Sequence, residues 1–479
     1  MIVKDKFYIN GQWVKPVGTD TAEITNPATE EVVARVALGS EADVDAAVMA
    51  ARNAFDSWSQ TDPSVRADYL DKIVAGLEAR TGDLADSITA EMGMPVMLCK
   101  GAQIGNPVFT FKEAAKLCRE YPFETDHGKT RVIKEAAGVC GLITPWNFPL
   151  NQIGGKVAPA LAAGCTMVLK PSELAPLDAF ILAEIIAEAG VPAGVFNLVV
   201  GAGPVVGEAL ARHPEVDVVS ITGSTRAGAA VAMAAAPTIK RVGQELGGKS
   251  ANIILEDADY SRAVKGGTRL AMFNSGQACN GPTRMVVPRK DLKEIESIVM
   301  QAIDTIKVGN PLEDDTYMGP IANQAQYGRV LAFIERGIKE GARLLTGGTD
   351  KPAGCDKGYF VAPTVFTDVS NDMATAREEA FGPVLCLIPY DTEEEAIAIA
   401  NDNPYGLSSY VQSGDIEHAR QVGRRIRAGH VELNGARFDQ GAPFGGYRMS
   451  GNGREHGSWG LEEYLETKAM IGYVPKDAS

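Results

Sequence analysis

Cys279 lies in FNSGQACNGPTR, a segment punctuated by Gly and Pro between a helical and a strand-like stretch, the kind of loop on which a scaffold presents a reactive group. The other six cysteines sit in apolar or helical surroundings, where a thiol behaves as a small hydrophobe. A free thiol ionises near pH ~8.5, so a nucleophilic Cys279 needs a lowered pKa or a base beside it. Glu245 offers one: GQELGGKS ends a strand on a carboxylate, followed by paired glycines that let the chain turn. The alternative is an ordinary surface Glu ahead of a turn. In TPWNFP, Thr144 to Pro149, two prolines bracket Trp, Asn and Phe directly after a strand. Asn147 could there offer its amide to a developing oxyanion, or it could only cap the following helix.

Two glycine-rich loops follow strands and open helices. ITGSTRAG, Ile221 to Gly228, puts Ser224 and bare backbone N–H groups at a helix N-terminus, where the dipole favours phosphate. VVGAGPVVG, Val199 to Gly207, carries a GxGxxxG pattern; it misses the strict dinucleotide spacing and has no acidic residue about 20 positions on. Either alone is what any tight turn would show. Together they fall at carboxyl ends of strands in one sheet, where ligands bind such folds. Lys170 and Glu173, in LKPSE after another strand, could hold ribose hydroxyls, or Glu173 could simply complement the dipole of an exposed helix beginning after Pro171.

These positions need elements to hold them. From Gly138 to Gly248, short β-branched runs (GVCGLI, TMVLK, VFNLVV, VDVVSIT) alternate with amphipathic stretches such as LAPLDAFILAEIIAEAG and PVVGEALARH, the signature of βαβ units. The spacing predicts an α/β protein with a parallel, doubly wound sheet. After Lys249 a second alternation begins with ANIIL, DYSRAVKGGTRLAMFN, TRMVVP and KDLKEIESIVMQAIDTI, predicting a second α/β domain. Two early helical stretches, EADVDAAVMAARNAFDSW and ADYLDKIVAGLEARTGDLADSITAEMG, are expected to pack against the first sheet. YPFETDHGKTRVIKEAAG alternates around His127-Gly128 and predicts a protruding hairpin whose edge another subunit could pair.

The 479 residues allow about three domains, and 45% hydrophobic with 22% charged residues describes a folded chain. A formal net charge of −15 opposes the counterion release that drives nucleic-acid binding, so no nucleic-acid partner is expected. The N-terminus has no apolar core of signal-peptide type, and the most apolar stretch, Val157 to Leu169, is too short for the ~20 residues of a membrane span. Neither secretion nor a membrane is expected. Seven scattered Cys without CxxC fit reduced thiols in a cytoplasmic protein, and five His without HExxH give no reason to expect a metal.

INGQW, TPWNFP, LKPSE, TGSTRAG, ELGGKS, GQAC, EEAFGP and PFGGYRMSG, in this order over nearly the whole chain, resemble the NAD(P)-dependent aldehyde dehydrogenase superfamily, in its non-acylating form. The resemblance implies an NAD-binding domain over residues 1–118 and 138–247, an oligomerisation hairpin over 119–137, a catalytic domain over 248–447, and a C-terminal segment with an oligomerisation strand over 448–479. It implies homodimers or homotetramers. It makes Cys279 the nucleophile that forms a thiohemiacetal and then a thioester, Asn147 the oxyanion donor together with the Cys279 N–H, Glu245 the base for the deacylating water, and Lys156 a supporting lysine. Ile143, Thr144, Pro145, Trp146, Lys170, Glu173, Gly203, Gly207, Thr222, Gly223, Ser224 and Leu246 match contacts to the cofactor, with Glu379 and Phe381 at the nicotinamide end.

Glu173 would repel a 2′-phosphate, so NAD is expected, with NADP as the alternative. The resemblance lines the aldehyde tunnel with Phe148, Gly155, Ala278, Asn280, Phe438 and Phe444. Gly155 stands where many relatives carry a bulky aromatic, which implies room for aromatic or otherwise bulky aldehydes. Arg437, one residue before Phe438, could instead pair with a carboxylate-bearing semialdehyde. A CoA-acylating enzyme would usually lack the carboxylate found at Glu245, and a catalytically silent homologue would lack the thiol, amide or base.

Overall fold

The computed structural model describes residues 1–473. The first sheet holds five parallel strands in the spatial order Arg241–Glu245, Val218–Thr222, Val139–Ile143, Thr166–Lys170, Phe196–Leu198. Chain order therefore runs outward in both directions from Val139–Ile143, and that reversal opens a crevice at the carboxyl ends of the strands. Antiparallel strands close both edges: Gly451–Asn452 beside Arg241–Glu245, and the hairpin Phe7–Ile9/Gln12–Val14 beside Phe196–Leu198. The turn of that hairpin is Asn10-Gly11, both at positive φ (51° and 75°), which matches the twist of paired strands.

The helix Glu41–Ser59 packs on this sheet as expected. The second early stretch differs from expectation in two ways. It is two helices, Pro63–Ala79 and Thr81–Met92, broken at Arg80, whose guanidinium is drawn to Glu184 (2.8 Å) and Asp83 (3.0 Å). Both pack on other helices, Asn106–Glu120, Pro149–Ala163 and Leu177–Glu188, rather than on the strands. Their apolar stripes are covered by a second helical layer, which a periodicity cannot distinguish from a sheet.

The second sheet orders Arg343–Thr346, Thr364–Thr367, Val384–Tyr390, Arg284–Pro288, Ala251–Ile254, Ser408–Gln412 and His430–Leu433, all parallel except the first. Apolar cores fill both of its faces, as buried parallel strands require. Only Leu246–Ser250 joins the last parallel strand of the first sheet to Ala251–Ile254, so residues around Glu245 lie where the two sheets meet. The hairpin Glu124–His127/Thr130–Ala136 forms, and Leu465–Ile471 adds to it as a third antiparallel strand. The end of the C-terminal segment assigned to 448–479 falls outside the described residues.

Candidate active site

The loop carrying Cys279 leaves the helix Tyr260–Met272 through three successive residues at positive φ, Asn274 (50°), Ser275 (56°) and Gly276 (70°). For the two non-glycine residues this costs of order 1–3 kcal/mol each and persists only where surrounding contacts impose it. Those contacts are specific. Ser275 Oγ donates to Gly319 O (2.8 Å), Gln277 Nε2 to Asn274 O (3.1 Å), and Ala322 N to Gln277 Oε1 (2.9 Å). A Cβ at Gly276 would overlap the Gly382 carbonyl. On the other side of the thiol, Tyr410 and Ser408 hydroxyls both donate to Asn280 O (2.9 and 3.1 Å).

Asn147 is buried, and its Nδ2 donates to Gln277 O, 3.0 Å away and two residues before Cys279. The helix Pro149–Ala163 has Phe148 at its N-cap and no side-chain cap, so Asn147 does not cap it. Its own carbonyl accepts from Asn274 Nδ2 (3.0 Å). One amide hydrogen is thus used to fix the side chain, which leaves the second to serve a ligand.

Glu245 ends its strand buried, and neither carboxylate oxygen has a hydrogen-bond partner among the described residues. It is not a surface residue. Burial raises its carboxyl well above the usual range, Glu455 adds to the effect, and Lys156 and Arg454 oppose it. Lys156 itself is fully buried, paired with Glu455 and donating to Ser220 Oγ (2.9 Å). Its charge therefore acts on Glu245 through space, with no direct hydrogen bond. The thiol of Cys279 is pushed up by burial, then by the carboxylates of Glu379 and Glu245.

Neither Gly247 nor Gly248 has positive φ, which corrects the reading of this pair as a sharp turn. They are glycines because other groups press against them. A Cβ at Gly247 would overlap Oε2 of Glu379, and one at Gly248 would stand 2.5 Å from the Cys279 carbonyl. The strand end bearing Glu245 is thereby packed onto both the Cys279 loop and Glu379, whose carboxyl burial pushes up to about 7 against the pull of the Gly248 amide and Lys249.

At the crevice of the first sheet, Ile143, Thr144 and Pro145 follow one strand, Lys170 a second, and Thr222, Gly223 and Ser224 a third. Ser224 caps the helix Thr225–Ala235, its Oγ accepting from Ala227 N (3.2 Å). Lys170 is buried and donates to Glu173 (3.2 Å). The next helix begins only at Leu177, so Glu173 sits in a turn and not at an exposed helix start. Gly203–Gly207 makes one wide π turn. A Cβ at Gly203 would meet nothing within 4 Å, and one at Gly207 only Ile143 and Lys170 at 3.9 Å. These glycines keep space free that the protein does not itself fill, which fits a bound dinucleotide. Leu246 fills the space beside Gly228, where a Cβ would stand 2.6 Å from its Cδ2. Trp146 and Phe381 meet edge to face across the cleft, centroids 5.4 Å apart.

Phe148 stacks on Phe273 (6.2 Å), and Phe438 and Phe444 (5.7 Å apart) form an aromatic cluster with His430 and His456. His430 pairs in register with Ser408, which holds the Asn280 carbonyl, so the cluster adjoins the Cys279 loop. Ala278 and Asn280 are half-buried on either side of the thiol. Gly155 faces Glu455 and His456. Arg437 is exposed.

The model of the aldehyde dehydrogenase family matches residues 13–470. The chain belongs to the aldehyde dehydrogenase family. It is 56% identical over 469 residues, 98% of each chain, to a 3-succinoylsemialdehyde-pyridine dehydrogenase of a Pseudomonas species. A mutant of aldehyde dehydrogenase C from Pseudomonas syringae, solved with NAD+ and octanal, superposes with a TM-score of 0.97 at 54% identity, covering 99% of this chain and 98% of that one. The Mycobacterium tuberculosis aldehyde dehydrogenase complexed with NAD+ gives 0.96 at 41%, with 99% of both chains covered. The chain is an oxidoreductase that acts on aldehydes.

For this aldehyde dehydrogenase the sequence singled out the candidate reacting groups and missed their supports. Asn274 and Gln277 lie within the FNSGQAC segment, and Asn274 and Gly276, two residue types that tolerate positive φ, were the available signal. Glu455 and His456 carried none, since they meet Lys156 and Gly155 from 299 residues away or more. Among the described residues no helix is long and apolar enough to cross a membrane, and no three His, Cys, Asp or Glu side chains cluster as metal ligands.

Proposed function

We propose that this chain oxidises an aldehyde to its carboxylic acid with NAD, through a thioester on Cys279. The observation that carries this reading is the buried, unpartnered carboxylate of Glu245 in the cleft it shares with the Cys279 thiol. A thiol held above its usual pKa does not ionise unaided, and a carboxylate with raised proton affinity is suited to take its proton. Sγ then bonds to the carbonyl carbon, and the resulting oxyanion accepts from the free Asn147 amide hydrogen and the Cys279 N–H. Bound NAD supplies the hydride acceptor that lets this thiohemiacetal become a thioester. Once Glu245 has released the thiol's proton to solvent, it takes a second one from water, whose oxygen attacks the thioester; the acid departs and the proton on Glu245 returns to the Cys279 thiolate. Hydrolysis rather than transfer to CoA follows from the carboxylate at that position.

The fit for the cofactor rests on the glycine-kept space at Gly203 and Gly207, the Ser224 cap and the Lys170–Glu173 pair. Lys170 and Glu173 would hold the adenosine ribose, Glu173 disfavouring a 2′-phosphate, and Glu379 and Phe381 the nicotinamide end. Gly155 supports an aldehyde with a bulky or aromatic tail, in line with the pyridine ring named in the Pseudomonas relative. The word semialdehyde in that name, with exposed Arg437 beside Phe438, supports a second reading in which the tail is a carboxylate. The three-stranded sheet of Glu124–His127, Thr130–Ala136 and Leu465–Ile471 supports a homodimer or homotetramer. Six buried free cysteines support a cytoplasmic location.

NADH formation from aliphatic, aromatic and carboxylate-bearing aldehydes, with and without CoA, tests the reading. Turnover without CoA that vanishes in Cys279→Ala is the expected result. Dependence on CoA, or NADH formation that survives the substitution, would overturn it.

A further inference from the structure

Beside Gly155 lies a cleft, open to solvent on one side and lined by Thr110, Glu113, Leu117, Gly155, Gln440 and His456, among others. Most of its wall is apolar. Two polar atoms in it are not accounted for: His456 Nδ1 and Gln440 Oε1 are buried and have no hydrogen-bond partner among the described residues. Buried polar atoms are nearly always paired, so an orphan in a cleft points to a ligand. His456 is 8% exposed, and its backbone is held at a φ of 68°, a conformation that costs energy in any residue but Gly. Its ring meets Phe438 and Phe444 edge-on, each at 5.9 Å. A Cβ on Gly155 would stand 3.9 Å from its Cε1. The histidine is therefore fixed in orientation and borders the space that Gly155 leaves free.

We propose that His456 and Gln440 form a polar subsite that selects aldehydes whose far end is an uncharged aromatic ring bearing a hydrogen-bonding heteroatom. This deepens the reading of the cleft as an aldehyde site and rests on it. Burial holds the His456 imidazole below its ordinary pKa, so at neutral pH one ring nitrogen donates and the other accepts. A ring nitrogen on the substrate accepts from the donor, while the largely apolar wall of the cleft, with Leu117 and Gly155 in it, takes the ring itself. The pocket's charges disfavour a carboxylate tail: Glu113 lines it, and Oε2 of Glu455 lies 3.3 Å from where a Gly155 Cβ would be. The nearby ammonium of Lys156 is already held by Glu455 and Ser220.

The test compares 3-(pyridin-3-yl)propanal, 3-phenylpropanal and succinic semialdehyde as substrates, and the two matching aryl propanols as ligands titrated calorimetrically without cofactor. The wild type is expected to favour the pyridyl over the phenyl compound by about tenfold in kcat/KM and in Kd, the size of one good hydrogen bond. His456→Phe, which keeps the ring and removes its nitrogens, should collapse both ratios towards one. Gln440→Leu should reduce them in part, and thermal melts establish that both variants fold. Equal affinity for the two aryl alcohols, pyridyl preference that survives both substitutions, or preference for succinic semialdehyde would overturn the subsite. Absence of NADH from every aldehyde while the alcohols still discriminate would instead overturn the oxidation reading and leave the subsite standing.

Discussion

The Gly248 amide donates to Oε1 of Glu379 at 3.1 Å, and the neighbouring Gly247 leaves no room for a Cβ beside the other oxygen. One backbone segment thus carries Glu245, seats Glu379 and touches the Cys279 carbonyl. Three groups from different parts of the chain share one positioning element, and that element tolerates only glycine.

Gly247→Ala follows directly from this. The added methyl must displace Glu379, because the strand behind it is fixed by its register with Val218–Thr222. A displacement near 1 Å can cost about a hundredfold in rate, so kcat should fall by that order. NAD affinity, read by fluorescence titration, should weaken as well. A variant with wild-type kcat and NAD affinity would show that Glu379 has no role in the reaction.

Asn147→Ala removes the proposed oxyanion donor and one clamp on the loop. Loss of one such donor typically lowers kcat by about 10²- to 10³-fold, and KM should change far less. Because Asn147 also holds Gln277, thermal melts distinguish a lost donor from a collapsed loop: Tm should fall by only a few degrees. A kcat within a few-fold of wild type would assign the amide to packing alone.

How much of this was legible beforehand varies with physical cause. The parallel strands and the groups at their ends could be read, since β-branched runs and motifs such as LKPSE are local in sequence. Helix partners could not, because Pro63–Ala79 shows the same apolar stripe whether it lies on strands or on Asn106–Glu120. The paired glycines were visible, yet their reason was not: close approach of Glu379 and Cys279 involves residues 131 and 31 positions away, and a turn explains the same letters. The Lys156–Glu455 pair joins parts of the chain 299 residues apart, and nothing near either residue announces the other.

Asp178 makes a prediction for stability rather than rate. It is fully buried in the helix Leu177–Glu188, with neither oxygen accepting a side-chain bond among the described residues, and burial pushes its carboxyl from 3.8 up to about 7. The native state therefore binds this proton more tightly than the unfolded chain does. Its contribution is fully present below pH 3.8 and is lost as pH rises to about 7. Asp178→Asn has no such loss, so the Tm difference, variant minus wild type, should increase across that window and level off above it. A difference independent of pH would mean that the carboxyl is not held protonated in the fold.

Glu245 should reveal its neighbours through pH. The proposed base works when deprotonated, so the rate of thioester hydrolysis should rise with pH along a limb set by its raised pKa. Glu455 contributes to raising it, and Lys156 opposes. Glu455→Gln removes the repelling charge and leaves the Lys156 ammonium without its acidic partner, and both effects favour the Glu245 carboxylate. The acid limb should then move to lower pH. Lys156→Met should move it the other way. Glu245→Gln should give a slowed burst of NADH and then stall, since the thiol loses its base and forms the thioester only slowly, and water is not activated. Single-turnover and steady-state rates measured across pH separate these steps. If the limb stayed in place in both charge variants while Glu245→Gln stalled, Glu245 would be the base but the buried Lys156–Glu455 pair would have no hold on its proton.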